Sequence, residues 1–230
     1  MISPKKWVSL SLCFTLPVLL FAGCGKKAQE VREPDTSTVY VNTDGSLDQI
    51  LVDADGDLNG SEEAFETYLQ ERLDAYNEGL EDPRITLPAA EKAQADEEEG
   101  EETELSGLYQ VDIRYASYED YQAFNGMICF VGSVSDAAAA GYVVDAEFEG
   151  TDGSHLTGSG LLSAAADLQV LILEEPVQVE VPGTIQYTTA TVTITSEQTA
   201  VIEADTIRDT LDGYLPEQLE EPAYIVYAAE

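Results

Sequence analysis

Basic residues are scarce. Ten Lys and Arg stand against 45 Asp and Glu, which gives a formal net charge of −35 at pH 7. Such a charge repels phosphate backbones, so nucleic acid is excluded as a partner, and it favours solubility. Histidine is scarcer still. His155 is the only one, which excludes any multi-histidine zinc site. It lies close to Ser154 and Ser159, a neighbourhood that invites a hydrolase reading. Thr157, however, precedes Gly158-Ser159-Gly160, so the Gly-x-Ser-x-Gly elbow is absent and His155 reads as a surface-loop histidine. The chain also lacks a Walker-type phosphate loop, a dinucleotide fingerprint and a Cys-rich zinc pattern. After residue 24 no apolar run approaches the ~20 residues of a membrane span.

The N-terminus holds what the rest lacks. Lys5 and Lys6 form a short positive flank, and an apolar stretch runs from Trp7 to Ala22, interrupted by Ser9, Ser11, Thr15 and Pro17. Small residues Ala22 and Gly23 precede Cys24, and polarity rises at Gly25-Lys26-Lys27. This order of positive flank, apolar core and small residues reads as a signal peptide over residues 1–23. Phe21-Ala22-Gly23-Cys24 resembles a bacterial lipobox, with Phe21 where that family usually has Leu. The resemblance implies that Cys24 becomes the mature N-terminus and carries a diacylglyceryl group, with palmitate as a typical acyl chain. It places the chain on the extracytoplasmic face of the cell membrane. Two acyl chains suffice for stable attachment, since each buried methylene contributes ~0.8 kcal/mol.

On this reading residues 24–36 are a lipid-anchored tether, where Lys26, Lys27 and Arg32 can meet anionic headgroups. Loss of the signal removes Lys5 and Lys6 and no acidic residue, so the net charge falls from −35 to −37. Cys13 leaves with the signal and Cys24 takes the lipid. Cys129 alone remains, no intramolecular disulfide is available, and the apolar run Met127–Val131 around it predicts a buried thiol.

Residues 37–230 read as a single α+β domain. Thr38–Val41 and Leu47–Val52 form a hairpin around the turn Asn42–Gly45. The spacing of Phe65, Tyr68, Leu69, Leu73 and Tyr76 predicts one long amphipathic helix over Ser61–Asn77, capped by Ser61 and stopped near Gly79. Residues 89–106 read as a disordered acidic loop, with seven acids in the nine residues from Asp96 to Glu104. Leu108–Tyr115 alternates as a half-buried strand, and Ser117 opens a helix that ends near Asn125-Gly126. Met127–Val131 is a buried strand or connector, and Ser135–Gly141 one or two helical turns.

Strands follow from Tyr142, after which residues 151–160 form a Gly/Ser/Thr loop. Further strands are predicted at 168–173, 177–181, 184–187, 191–195, 200–203 and 224–228, with Pro182-Gly183 as a turn. The expected architecture is a mostly antiparallel sheet carrying the long helix, extended by a β-rich C-terminal half or followed by it as a small β-domain. The hairpin Thr38–Val52 with its helix, the segment Ser117-Tyr-Glu-Asp-Tyr-Gln-Ala-Phe-Asn125 and the strand pair Glu174-Glu-Pro-Val-Gln-Val-Glu-Val-Pro-Gly183 resemble clostridial-type lipoproteins. That resemblance implies a location and names no activity.

Three patterns could carry chemistry. Asp53, Asp55, Asp57 and Asn59 alternate on a Gly-containing loop and could offer oxygen ligands to calcium. Counted from Asp53, Leu58 stands where an EF-hand needs Gly and Ala64 where it needs the bidentate Glu, so a solvated loop is the simpler reading. Asp145, Glu147 and Glu149 share one strand face, as any acidic exposed strand would. Thr188, Thr189, Thr191, Thr193 and Thr195 form a threonine-rich face that strand propensity explains. The expected function is a non-enzymatic binding or scaffolding domain of the cell envelope, held to the membrane through Cys24, with a basic protein or a cell-wall component as partner. The acidic run over residues 95–104 could dock such a protein. A calcium-responsive module is the alternative, and an envelope hydrolase ranks behind both.

Overall fold

A computed structural model describes residue 32 and residues 34–53, 62–88, 109–142, 145–204, 207–208 and 218–229. From Pro34 onward the chain forms one compact unit. Its elements are β1 (Thr38–Val41), β2 (Leu47–Asp53), α1 (Glu62–Asn77), β3 (Ile85–Thr86), β4 (Tyr109–Tyr115), α2 (Tyr118–Asn125) and β5 (Cys129–Ser133). There follow α3 (Val134–Ala139), β6 (Glu147–Gly150), β7 (His155–Thr157), α4 (Gly158–Ala165), β8 (Gln169–Leu173), β9 (Gln178–Glu180) and β10 (Gly183–Thr188). The chain ends with β11 (Val192–Ile194), β12 (Thr199–Ile202), β13 (Ile207–Arg208), β14 (Gln218–Leu219) and β15 (Ala223–Ala229).

The fold is α+β with mostly antiparallel sheets. The first hairpin forms because Gly45 can take φ +83 and the Asp44 side chain accepts from the Ser46 amide at 3.0 Å. The α2 helix is set at both ends. The Ser117 side chain accepts from the Asp120 amide, and Gly126 closes the helix in the left-handed conformation at φ 71. In α1, Phe65, Leu69 and Leu73 are buried and Tyr68 and Tyr76 half-buried.

The C-terminal half neither extends one sheet nor forms a separate β-domain; the strands make two large sheets and the two-stranded β13-β14. A seven-stranded sheet runs β11-β12-β9-β1-β2-β4-β3, and a six-stranded sheet runs β5-β8-β15-β10-β6-β7. Only β1 and β9 pair in parallel among these ladders. The C-terminal half divides between the sheets because its chain passes between them repeatedly: β8, β10 and β15 lie in the six-stranded sheet, and β9, β11 and β12 in the seven-stranded one. Residues 174–177 carry it from β8 to β9, and residues 181–182 carry it back to β10. Gly183 stands at the second crossing, where a Cβ would collide with the Ala228 carbonyl of β15. The expected Pro182-Gly183 turn is thus a passage between sheets.

One apolar cluster joins the two sheets. It includes Val39, Leu47, Ile113 and Tyr115 from the first and Leu171, Leu173, Ile225 and Tyr227 from the second. A second cluster lies on the opposite face of the six-stranded sheet, where Val170, Ile172 and Val226 meet α3 and α4 through Val134, Ala137, Leu161 and Ala165. Alternation along β8 therefore feeds two cores, which is why Val170–Leu173 is apolar at every position.

Three expectations fail locally. The loop expected over 151–160 contains β7 and the start of α4. Thr157 caps α4, and burial of Leu161 and Ala165 outweighs the low helix propensity of Gly158 and Gly160. The threonines do not share one strand. Thr188 ends β10, Thr193 lies on β11, and a turn bonded from the Val192 amide to the Thr189 carbonyl separates them. Asp145 lies before β6, so only Glu147 and Glu149 share that strand.

The double burial of β8 is testable. Leu171→Ala and Ile172→Ala truncate side chains on opposite faces, and each should lower the unfolding free energy by about 2–5 kcal/mol in urea denaturation. A negligible loss from either variant would mean that its face is not a packed core.

Candidate functional site

A buried polar cluster lies where residues 174–177 carry the chain from β8 to β9. Glu175, only 3% exposed, follows β8 and points at β2, β4 and α2. Gln49 lies on β2 between Leu47 and Leu51, so strand alternation turns it inward, and it is 1% exposed. Its Nε2 donates to both oxygens of Glu175, at 3.0 and 3.1 Å. The Tyr121 hydroxyl of α2 donates to Oε2 of the same carboxyl. Tyr115 on β4 donates its hydroxyl to Gln49 Oε1 at 2.8 Å and accepts from Asn125 Nδ2 at 3.3 Å. The rings of Tyr115 and Tyr121 lie 4.8 Å apart.

Every donor to Glu175 is neutral. Burial therefore dominates and pushes its carboxyl up to about 8, with the Gln49 bond opposing the shift. Burial likewise raises the Tyr115 hydroxyl and the Cys129 thiol. Cys129 is a free, buried cysteine, and its raised thiol is poorly placed to act as a nucleophile.

Glu174 faces the other way and is also buried, at 4% exposure. Its Oε2 accepts from the Ile128 amide at 2.8 Å and from Gln218 Nε2 at 2.6 Å. Beside it runs a shallow groove, open to solvent and lined by Gln122, Ala123, Gly126, Met127 and Ile128.

Three arginines serve the interior. Arg84 reaches Asp120 through Nε at 3.1 Å to each oxygen and through NH2 at 2.8 Å. Tyr76 and Ser117 donate to the same carboxylate. Burial alone would raise Asp120, but the bonds from Arg84, Ser117 and Tyr76 hold it below the usual carboxylate range. Arg72 lies 4.3 Å from the centre of the Phe124 ring and donates to the Phe124 carbonyl. Arg114 binds Ser46 Oγ at 2.9 Å and pairs with Asp44 and Asp48 at 3.4 and 3.6 Å.

Of the residues singled out from sequence, several are not described. Cys24, Asp55, Asp57 and Asn59 fall outside the described residues, as does the acidic loop at 89–106. Asp53 ends β2, where its backbone is in register with Tyr109. Among the described residues no group of three or more His, Cys, Asp or Glu could hold a metal ion. Glu147, Glu149 and His155 are exposed, and His155 stands opposite Glu149 in the β6–β7 ladder. His155 thus sits on an edge strand, not in a loop. Neither Glu147, Glu149 nor His155 joins the cluster around Glu175.

Sequence reasoning missed Gln49, Tyr115 with Tyr121, Asp120, Glu174 and Glu175. Two signals pointed there. Gln49 interrupts the inward set Leu47, Gln49, Leu51, and Glu174-Glu175 interrupts the apolar run that continues to Val177. No helix of the described residues is long and apolar enough to cross a membrane. No protein-family model, no curated protein and no solved structure matches the chain.

Two measurements follow from this geometry. Glu175 holds a proton in the folded chain that it releases on unfolding above its ordinary value of 4.5. Its stabilising contribution is complete below pH 4.5 and lost as pH rises through about 8. Thermal melts over this range should show the wild type losing stability relative to Glu175→Gln as pH rises, and parallel curves would exclude the titration. Asp120→Ala deprives Arg84 and Tyr76 of their acceptor. It should cost about 1–3 kcal/mol in urea denaturation, whereas exposed Glu147→Ala should change stability by less than about 0.5 kcal/mol.

Proposed function

We propose that the chain is a lipid-anchored protein of the extracytoplasmic membrane face, with a folded unit that is a non-enzymatic binding or scaffolding module of the cell envelope. The location rests on the N-terminal sequence: the positive flank, the apolar core and the lipobox-like Phe21-Ala22-Gly23-Cys24. The kinship with clostridial-type lipoproteins belongs to the same reading.

The observation that carries binding over chemistry is the placement of the cations. Arg72, Arg84 and Arg114 are engaged with Phe124, Asp120 and the Asp44–Asp48 turn. Acids such as Glu147, Glu149 and Asp152 face solvent without such partners among the described ion pairs. The outward field is therefore negative and suits a basic protein or a cationic cell-wall component. The carboxyl whose titration burial has moved furthest among the described acids, Glu175, is enclosed by Gln49 and Tyr121 and closed to a substrate. On this reading α1 is the amphipathic wall of the unit and the β-rich C-terminal half its rigid platform.

The anchor is tested in bacterial cells expressing the full chain. Labelled palmitate should enter the wild type and not Cys24→Ala, and the variant should leave the membrane fraction. The module is tested by placing the lipidated chain in neutral liposomes, which should then recruit poly-lysine saturably and in a salt-sensitive manner. Recruitment no greater than by bare liposomes would reject the binding role.

A further inference from the structure

We infer that the groove beside Glu174 is a receptor for a primary ammonium group, the lysine side chain of a basic protein partner. This inference rests on the binding role proposed above and gives that role a location. A buried carboxylate is costly unless charge or hydrogen bonds compensate it. Glu174 is 4% exposed, and among the described residues no Lys, Arg or His pairs with it. Its backbone is clamped on both sides. The amide donates to the Ile128 carbonyl at 3.1 Å, and the carbonyl accepts from the Leu219 amide at 2.7 Å. Among the described residues the donors to its carboxylate are the Ile128 amide and Gln218 Nε2, and both go to Oε2. A carboxylate accepts about four hydrogen bonds, so Oε1 retains capacity at a fixed position.

The surroundings select the ligand. Ala123, Ile128 and the edge of the buried Met127 give the groove a small apolar lining against which part of a lysine stem can rest. Gly126 leaves the lip without a side chain. The groove also meets the C-terminal end of α2, where backbone carbonyls present negative partial charge and the last turn holds no basic residue of its own. Arg72 already uses that helix end from another side, through the Phe124 carbonyl. With Oε2 occupied, the carboxylate offers one oxygen, which suits the point charge of an ammonium better than the planar fork of a guanidinium. The net charge of −35 raises the local concentration of cations.

The test uses the full-length chain, isotope-labelled and held in detergent micelles, with amide NMR at neutral pH. The probe is Nα-acetyl-lysine methylamide, and its Nε-acetylated form is the uncharged control. The lysine probe should cause saturable shifts at Gly126, Met127, Ile128 and Glu174, the control none, and the arginine analogue weaker ones. Glu174→Gln should lower the affinity about tenfold. Since Glu174 also holds Gln218 and Ile128, a second variant leaves it in place. Ala123 is exposed on α2, and Ala123→Lys puts a tethered ammonium at the groove and should abolish the probe's shifts with the fold intact. Shifts that spread over acidic surfaces without saturating, or that persist in Ala123→Lys, overturn the site. Poly-lysine recruitment by the liposome-bound chain separates the two readings. Recruitment without probe binding at the groove rejects the site and leaves the binding role standing, whereas no recruitment rejects the role itself.

Discussion

Glu175 is a carboxyl buried in an apolar interior, and such burial is costly unless hydrogen bonds replace the lost water. No described cation contacts it. Gln49 and Tyr121 supply neutral donors instead, and the group keeps its proton to about pH 8. The location of this compromise matters more than its size. Glu175 follows the last strand residue on one sheet and precedes the first on the other. Its partners come from β2 and α2, and Tyr115 on β4 completes the set through Gln49. A buried polar network of this kind favours one arrangement, because a shift of any strand would leave a polar group unpaired in the core. Glu174 extends the same corner outward to residue 128 and to β14.

Charge is sorted by depth in the same unit. The three described arginines with assigned partners each organise a turn or a helix end. Arg84 with Asp120 fixes the start of α2, Arg72 fixes its end, and Arg114 braces the first hairpin. An exposed ion pair contributes little, but the buried Asp120 carboxylate accepts from Arg84, Tyr76 and Ser117, so its loss leaves several donors unsatisfied. Acids without such duties face water. The unit is thus internally neutralised where it packs and negative where it meets its surroundings, which is the electrostatic profile of a surface that attracts cations.

Much of the chain was legible from its residues. The β1–β2 hairpin follows from alternating apolar residues around a Gly turn, and α2 follows from Ser117 and Gly126. Both depend on neighbours in sequence, whose backbone preferences act before any tertiary contact. Local rules failed where distant packing decided. Gly158 and Gly160 argue against a helix, yet α4 forms because Leu161 and Ala165 find a core. The threonines look like one strand until a turn at Thr189 divides them.

The sequence by itself determined the order of most elements, their inward faces, the dominance of negative charge and the signal-like N-terminus. Periodicity, turn chemistry and composition carry those facts within short windows. Only the tertiary structure decided that most strands divide between two large sheets, that β8 is buried on both faces, and that Gln49, Tyr115, Tyr121 and Glu175 converge. Gln49 and Glu175 lie 126 positions apart, and no local pattern encodes a pairing at that separation. A polar residue within an apolar run signals that some partner must exist, because burial demands it. Which partner answers is settled only when the strands take their places.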